Sequence, residues 1–274
     1  MRPSRPIAAL RPFVQAVWSR EASLHVAPHR EHVLPSGTMH LSVRLDAPLR
    51  LYRDASDAHG RCAGTATLAG ARDGFYAKHV DGAASVGAVL RPGAMQALFG
   101  CDADALQGQH VALEDLWNPL DVERLRDRLA CADGAEHRAI VLQQALLAQV
   151  RPIRAMHPAI ARAMQTLRQG RLVRETVADS GLSHRHFLLR FRAATGLSPK
   201  EYARVLRFRR ALALMPERAL ADVAFAAGYS DQAHLGREFR ALSGLTPQTY
   251  RAGNPAGGRH VEVNFLQDRS GTAR

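Results

Sequence analysis

The chain has 274 residues, with 37 basic against 25 acidic side chains and a formal net charge of +12. At about 150 residues per domain, this length predicts two domains. A hydrophobic content of 46% excludes wholesale disorder, and there is no run of about 18 apolar residues to cross a membrane as a helix.

The N-terminal Met1–Pro6 stretch leads into a mixed segment without the apolar core of a secretory signal. Three cysteines, Cys62, Cys101 and Cys131, are odd in number and widely spaced. They form no disulfide framework, so a reduced, cytoplasmic protein with cysteines as buried apolar fillers is expected. Leu41, Val43 and Leu45 alternate with Ser42 and Arg44 as in a half-buried strand, and Leu49/Leu51 and Val86/Ala88/Leu90 follow the same rule. Gly and Asp clusters at 57–60, 70–74 and 81–82 read as turns. Beyond Pro92 the pattern turns helical: Val122, Leu125 and Leu129, then Leu142, Leu146 and Val150, lie at helical spacing. His25, His29, His32 and His40 are close in sequence and imidazole binds zinc, but no carboxylate or thiol completes an orthodox spacing. No metal or cofactor is expected. No nucleophile elbow or phosphate-cradling glycine loop occurs. The fold class expected is an α+β N-terminal domain over 1–150, β-rich with a helical exit, then an all-α domain over 151–255. Residues 151–158 form the linker and 256–274 a tail.

The charge divides at the same place. Residues 1–150 hold 16 basic and 16 acidic side chains, whereas residues 151–274 hold 21 and 9. A neutral domain joined to a basic one predicts that the second meets a polyanion, nucleic acid first and an acidic membrane surface second. An arginine-solubilised surface is the plain alternative, since only Lys78 and Lys200 are lysines.

An internal repeat favours nucleic acid. Gly181 and Ser183 pair with Gly228 and Ser230 at an offset of 47; after one inserted residue, Phe191, Arg192, Gly196, Pro199 and Tyr202 pair with Phe239, Arg240, Gly244, Pro247 and Tyr250 at 48. Each copy reads as a short helix, a glycine stop, a capped longer helix, a second glycine, and a Ser-Pro or Thr-Pro helix start. Two helices joined by a glycine-bearing turn make a helix-turn-helix unit, whose second helix enters the DNA major groove. The joining helix, Pro199 to Met215, carries Arg204, Arg207, Arg209 and Arg210 and stops at Pro216. Two recognition helices on one DNA face are expected about 34 Å apart, one turn of duplex.

The stretch from Met156 to Arg251 resembles the DNA-binding domain of the AraC/XylS family of bacterial transcription regulators. The resemblance is carried by Ala-Gly-Tyr-Ser-Asp-Gln-Ala-His-Leu-Gly-Arg-Glu-Phe-Arg at 227–240, by Gly244-Leu-Thr-Pro247 and by Tyr250-Arg251. It implies seven helices, two helix-turn-helix units and sequence-specific promoter binding. Residues 11–150 look like the N-terminal domain of some members, through Val33–Gly37, Val86–Gly93 and Leu142–Val150.

In copy two, Leu235 and Phe239 face inward. That leaves Gln232 to pair with adenine, Arg237 with guanine, and Arg240 to meet phosphate; the resemblance places Gln232 and Arg237 where family members make base contacts. Asp231 reads as a helix-start charge and His234 as a packing residue. In copy one Arg185 and Arg192 are the base-edge and phosphate candidates. Leu188 and Leu189 replace residues that the family often has polar, and Leu188 is a candidate for a thymine methyl or for packing on another surface. Copy two is therefore expected to carry more of the specificity. Val261, Val263 and Phe265 alternate as a strand would, and the tail is expected to dock on the N-terminal sheet.

The function expected is a bacterial transcription regulator, not an enzyme. Its partners are double-stranded promoter DNA and RNA polymerase, with a small-molecule effector or a homodimer at the N-terminal domain, and no membrane. The rival readings are a constitutive regulator whose N-terminal domain only dimerises, and a DNA-repair enzyme fused to a DNA-targeting domain, whose four-thiol zinc centre three cysteines cannot build.

Overall fold

A computed structural model describes residues 2–23, 28–53, 57–152, 155–253 and 259–261. Nine strands come first: β1 (Arg2–Ser4), β2 (Val14–Arg20), β3 (His29–Val33), β4 (Met39–Arg44), β5 (Arg50–Tyr52), β6 (Arg61–Cys62), β7 (Ala66–Ala69), β8 (Tyr76–Val80) and β9 (Ser85–Leu90). Then follow α1 (Ala94–Phe99), β10 (His110–Ala112), α2 (Pro119–Ala130) and α3 (Gly134–Ala148). The strands form two sheets, one ordered β1-β2-β9-β4-β7-β10 and antiparallel throughout. The other contains β3-β8-β5-β6, with β11 (Arg259–Val261) parallel to β3 on its edge. The expected tail docking is thus seen in the backbone of 259–261, while Val263 and Phe265 lie outside the described residues.

Alternation in the first sheet has an outcome that a half-buried strand does not predict. Leu41, Val43, Leu68, Val86, Ala88 and Leu90 face the hydrophobic core, with α3 packed on β2 and β9. The opposite, polar face points into the space between the sheets, where His40, Ser42, Arg44, Thr67 and Ser85 line a cavity of about 240 Å³. Both faces are therefore covered.

Helices α2 and α3 bury Val122, Leu125, Leu129, Leu142 and Leu146 at the expected spacing; Val150 lies beyond the helix end. Among the described cysteines, Cys62 and Cys131 are exposed, against the expectation of buried fillers; both sit at element ends, away from the core. Cys101 is half-buried, and burial raises its pKa. His25 lies outside the described residues; His29 and His32 sit on β3 and His40 on β4 in the other sheet. No metal-holding cluster occurs among the described residues.

Of the linker, Ile153 and Arg154 lie outside the described residues. The remainder is tied down, with the Arg151 N–H donating to Ala97 O at 2.9 Å. His157 caps α4 (Pro158–Arg168), whose proline occupies the first turn. Six more helices follow: α5 (Val173–Ala178), α6 (His184–Thr195), α7 (Pro199–Leu214), α8 (Leu220–Ala227), α9 (Gln232–Ser243) and α10 (Pro247–Arg251). One continuous hydrophobic core runs from Leu10 to Leu242 through sheet and helices. No helix among the described residues is long and apolar enough to cross a membrane.

Candidate nucleic-acid interface

The pairs α5/α6 and α8/α9 are the two helix-turn-helix units. Gly181 (φ +68) and Gly228 (φ +89) take the left-handed conformation in the two turns, which a side chain would oppose. Ser183 caps α6, its hydroxyl accepting from His186 N at 3.4 Å. In the second unit Asp231, not Ser230, is the cap, accepting from His234 N at 2.7 Å. The inserted residue of the repeat therefore lies in the turn, and the helices align at the larger offset throughout. The cap also holds the Asp231 carboxyl below its ordinary pKa, first through the His234 N–H and then through Ser230. His234 packs edge-on against Tyr229 with centroids 5.3 Å apart.

Phe187 and Phe191 in α6, and Leu235, Phe239 and Leu242 in α9, are fully buried. Helical spacing fixes what lies opposite. On α9, Ala233, Arg237 and Arg240 are exposed there, Gln232 is exposed at the helix start, and a Cβ on Gly236 would meet nothing within 4 Å. On α6, Arg185, Leu189 and Arg192 are exposed. Leu188 is half-buried against the core, which is the packing alternative of its two expected roles. Leu189 is the apolar residue turned outward, 65% exposed; the sequence singled out both leucines but could not order them without the helix phase. Phe225 on α8 is 88% exposed, although nothing in its local sequence pattern separates it from the core face of that short helix.

Helix α7 joins the units. Its capping box is closed in both directions: Ser198 accepts from Glu201 N at 3.2 Å, and Glu201 accepts from Ser198 N at 2.7 Å. Arg204 on α7 donates to Glu238 of α9 at 2.6 Å and to Asp73 of the N-terminal region at 3.2 Å.

Residues 176–253 match the family model of a helix-turn-helix domain, and the duplicated geometry coincides with that span. The C-terminal region is an AraC-type helix-turn-helix domain. The chain is accordingly a DNA-binding transcription regulator of the helix-turn-helix class. Residues 3–112 match a domain of unknown function (DUF6597). Among solved structures, the chain is similar to the DNA-binding domain of AdpA, a global transcriptional factor, in complex with a target DNA. The identity there is 29% over 34% of this chain and 86% of that one, with a TM-score of 0.31. ToxT from Vibrio cholerae is 10% identical over 86% of this chain and 96% of that one, TM-score 0.43. The C-terminal domain of AraT, a response regulator from Geobacillus stearothermophilus, is 17% identical over 43% of this chain and 98% of that one, TM-score 0.35. No curated protein matches.

The AraC-type region is not the only place where polar groups gather. The cavity between the sheets is lined by Arg20, Arg44, Lys78 and Glu31, with Trp18, Tyr76, His40 and His110. Lys78 keeps 27% of its side-chain surface and lines the cavity, and desolvation by burial lowers its pKa. Its ammonium pairs with Glu31 at 3.1 Å, and Arg44 pairs with Asp81 at 2.5 Å. Burial, then Arg209, Lys78 and Arg72, hold His40 at a pKa of about 3; burial, then Arg72, do the same for His110. Burial raises Tyr76 to about 12. No short motif marks this site, because its residues alternate with core residues on separate strands and meet only when the sheets face each other.

Proposed function

We propose that this chain regulates transcription by reading promoter DNA sequence-specifically through α6 and α9, and that residues 1–150 sense a small molecule. The observation that carries the DNA reading is the face of α9. A fully buried Leu235–Phe239 stripe fixes the helix phase: Arg237 lies on the opposite, exposed side, and Gln232 is exposed at the N-terminal end of the helix. Gln232 suits the N6/N7 edge of adenine and Arg237 the O6/N7 edge of guanine. Arg240 and Arg192, one turn or less from the C-terminal ends, suit phosphate. Arg185, in the first turn of α6, is the base-edge candidate of the first unit, flanked by Leu189, which suits a thymine methyl better than the half-buried Leu188.

Selection on random duplex DNA with the full chain tests this. A defined motif is expected, and Gln232→Ala and Arg237→Ala should relax one position each. Unchanged base preference in both variants would end the assignment. Binding should also fall steeply with salt as counterions return to the phosphates; a flat response from low to moderate salt would contradict phosphate neutralisation. The sensing reading is favoured by the polar cavity, whose buried groups a domain that only dimerises does not need.

A further inference from the structure

Strand register sorts the cavity wall of the first sheet into layers. Arg20, Ser85 and Arg44 are neighbours across β2, β9 and β4. Trp18, Ser42 and Thr67 occupy the next layer, with Gly87 between Trp18 and Ser42. His40, Ala69 and His110 form the last. At two residues per layer the first and last are roughly 13 Å apart. The layers differ chemically. In the first, Arg44 is paired with Asp81, and across the cavity Lys78 is paired with Glu31, whereas Arg20 makes no ion pair among the described residues and feels Glu31 and Asp81 only at longer range. Its guanidinium donates to Ala83 O at 3.1 Å, and its buried Nε has no acceptor among the described residues. At the other end Arg72 donates to His110 Nδ1 at 3.0 Å. Arginine has no acceptor, so Nδ1 must accept, and the proton of the neutral ring sits on Nε2. That Nε2–H is buried and meets no acceptor among the described residues. A buried donor without a partner is destabilising, and here two stand at opposite ends of one cavity.

The segment that leads into β8 has two faces. Tyr76 lines the cavity and Arg72 backs its wall: Arg72 lies over the Tyr76 ring at 4.3 Å, and Tyr76 packs edge-on against His110 at 4.6 Å. Ala71, Asp73 and Phe75 instead meet the DNA-binding region. Ala71 lies 3.1 Å from where a Cβ on Gly196 would stand, and Phe75 lies 2.7 Å from where one on Gly244 would stand. Those glycines close the recognition helices of the first and second units. Asp73, between them, holds Arg204 of the joining helix. The six-residue segment 71–76 thus touches the cavity, both units and the helix between them.

We propose that the cavity takes a small organic carboxylate carrying a hydrogen-bond acceptor at its far end, and that the 71–76 segment conveys its occupancy to both helix-turn-helix units. The carboxylate meets Arg20 in the first layer, an apolar body lies along Trp18, and the distal acceptor takes the His110 Nε2–H. This rests on the reading of residues 1–150 as a sensor and adds the ligand class and the route.

Three probes on the full chain separate the parts: 6-oxoheptanoate, with both groups; heptanoate, lacking the distal acceptor; and 6-oxoheptanamide, lacking the charge. Calorimetric titration should rank them in that order, the amide at least tenfold weaker than the acid. Arg20→Gln should abolish the preference for acid over amide. Affinity for the selected DNA site, measured with and without 6-oxoheptanoate, should change severalfold in the parent. In Phe75→Ala and Asp73→Asn the ligand should still bind, while the change in DNA affinity is lost. Equal binding of acid and amide would overturn the ligand class and leave sensing intact; no binding of any probe at 10 mM, a working ceiling of about 3 kcal/mol of affinity, would overturn the class and the cavity site together. Ligand binding without altered DNA affinity in the parent, or with the alteration retained in Phe75→Ala, would overturn the route. Specific DNA binding by the unliganded chain is read separately, so failure of the DNA assignment shows on its own.

Discussion

Thr195 and Ser243 occupy the same place in the two helix-turn-helix units and make the same bonds. Thr195 donates to Phe191 O at 2.8 Å and Leu197 O at 2.9 Å, and accepts from Leu197 N at 3.2 Å; Ser243 donates to Phe239 O at 2.7 Å and Leu245 O at 3.2 Å, and accepts from Leu245 N at 3.2 Å. Both hydroxyls are buried, and a left-handed glycine follows each. The outward positions have no such agreement. Where α6 has His184, Arg185 and Leu189, α9 has Gln232, Ala233 and Arg237; only Arg192 and Arg240 correspond. The contrast teaches that the duplication preserves what orients a helix and leaves open what that helix reads.

If the scaffolds are equivalent, damage to either should cost alike. Phe191→Ala and Phe239→Ala should each destabilise the chain by about 3–5 kcal/mol, the range for truncating a buried phenylalanine. Denaturant unfolding checks this. A loss confined to one of them would show that the shared bonds conceal unequal packing.

The next effect separates the units from the sheets beneath them. His40 and His110 are held neutral, with pKa values of about 3 against 6.5 for the free side chain. Their folded pKa is the lower one, so between pH 6.5 and 3 the unfolded chain binds more protons, and stability is lost as pH falls through that window. At pH 5 the loss should be about 2 kcal/mol for each histidine. His110→Gln should flatten the melting temperature against pH; an unchanged acid slope would show that the ring is not held neutral by burial and Arg72.

Substitutions on the exposed faces sharpen the contrast where it concerns DNA. Arg237→Ala should cost about 1–3 kcal/mol of discrimination at one base pair. Arg192→Ala should weaken all sequences uniformly and lower the salt slope by about one. If Arg185→Ala proves as selective as Arg237→Ala, the first unit reads as much sequence as the second.

How much of this was legible beforehand follows from the range of each signal. The glycine stops, caps and Phe spacing are local rules, and they placed both units, the joining helix and the exposed arginines. The order of Leu188 and Leu189 needed the helix phase to within a fraction of a turn, and the capping residue of α9 lay one position beyond the aligned Ser230. In the sheets, alternation marked Leu41 and Val43, but a period of two states only that the faces differ. It does not say that Ser42 and Arg44 point into a cavity instead of bulk water. Arg20, Lys78 and His110 come from strands far apart in sequence, so no short motif could join them.

The smallest effect tests the contrast most finely. Gly236 in α9 stands where α6 has Leu188, and its added Cβ would find open space in the free protein. A helix-interior glycine costs roughly 0.5–1 kcal/mol relative to alanine, so Gly236→Ala should raise stability by about that much. The position is one residue before Arg237 and one turn after Gln232. If the bare backbone there lets α9 seat deeply in the groove, the same substitution should weaken DNA binding severalfold while the base preference at the Arg237 position persists. Thermal unfolding and a binding titration on the selected site measure the two changes on one preparation. A variant that gains stability and keeps full affinity would mean that the glycine has no part in docking. The advantage of the second unit would then rest on Gln232 and Arg237 alone.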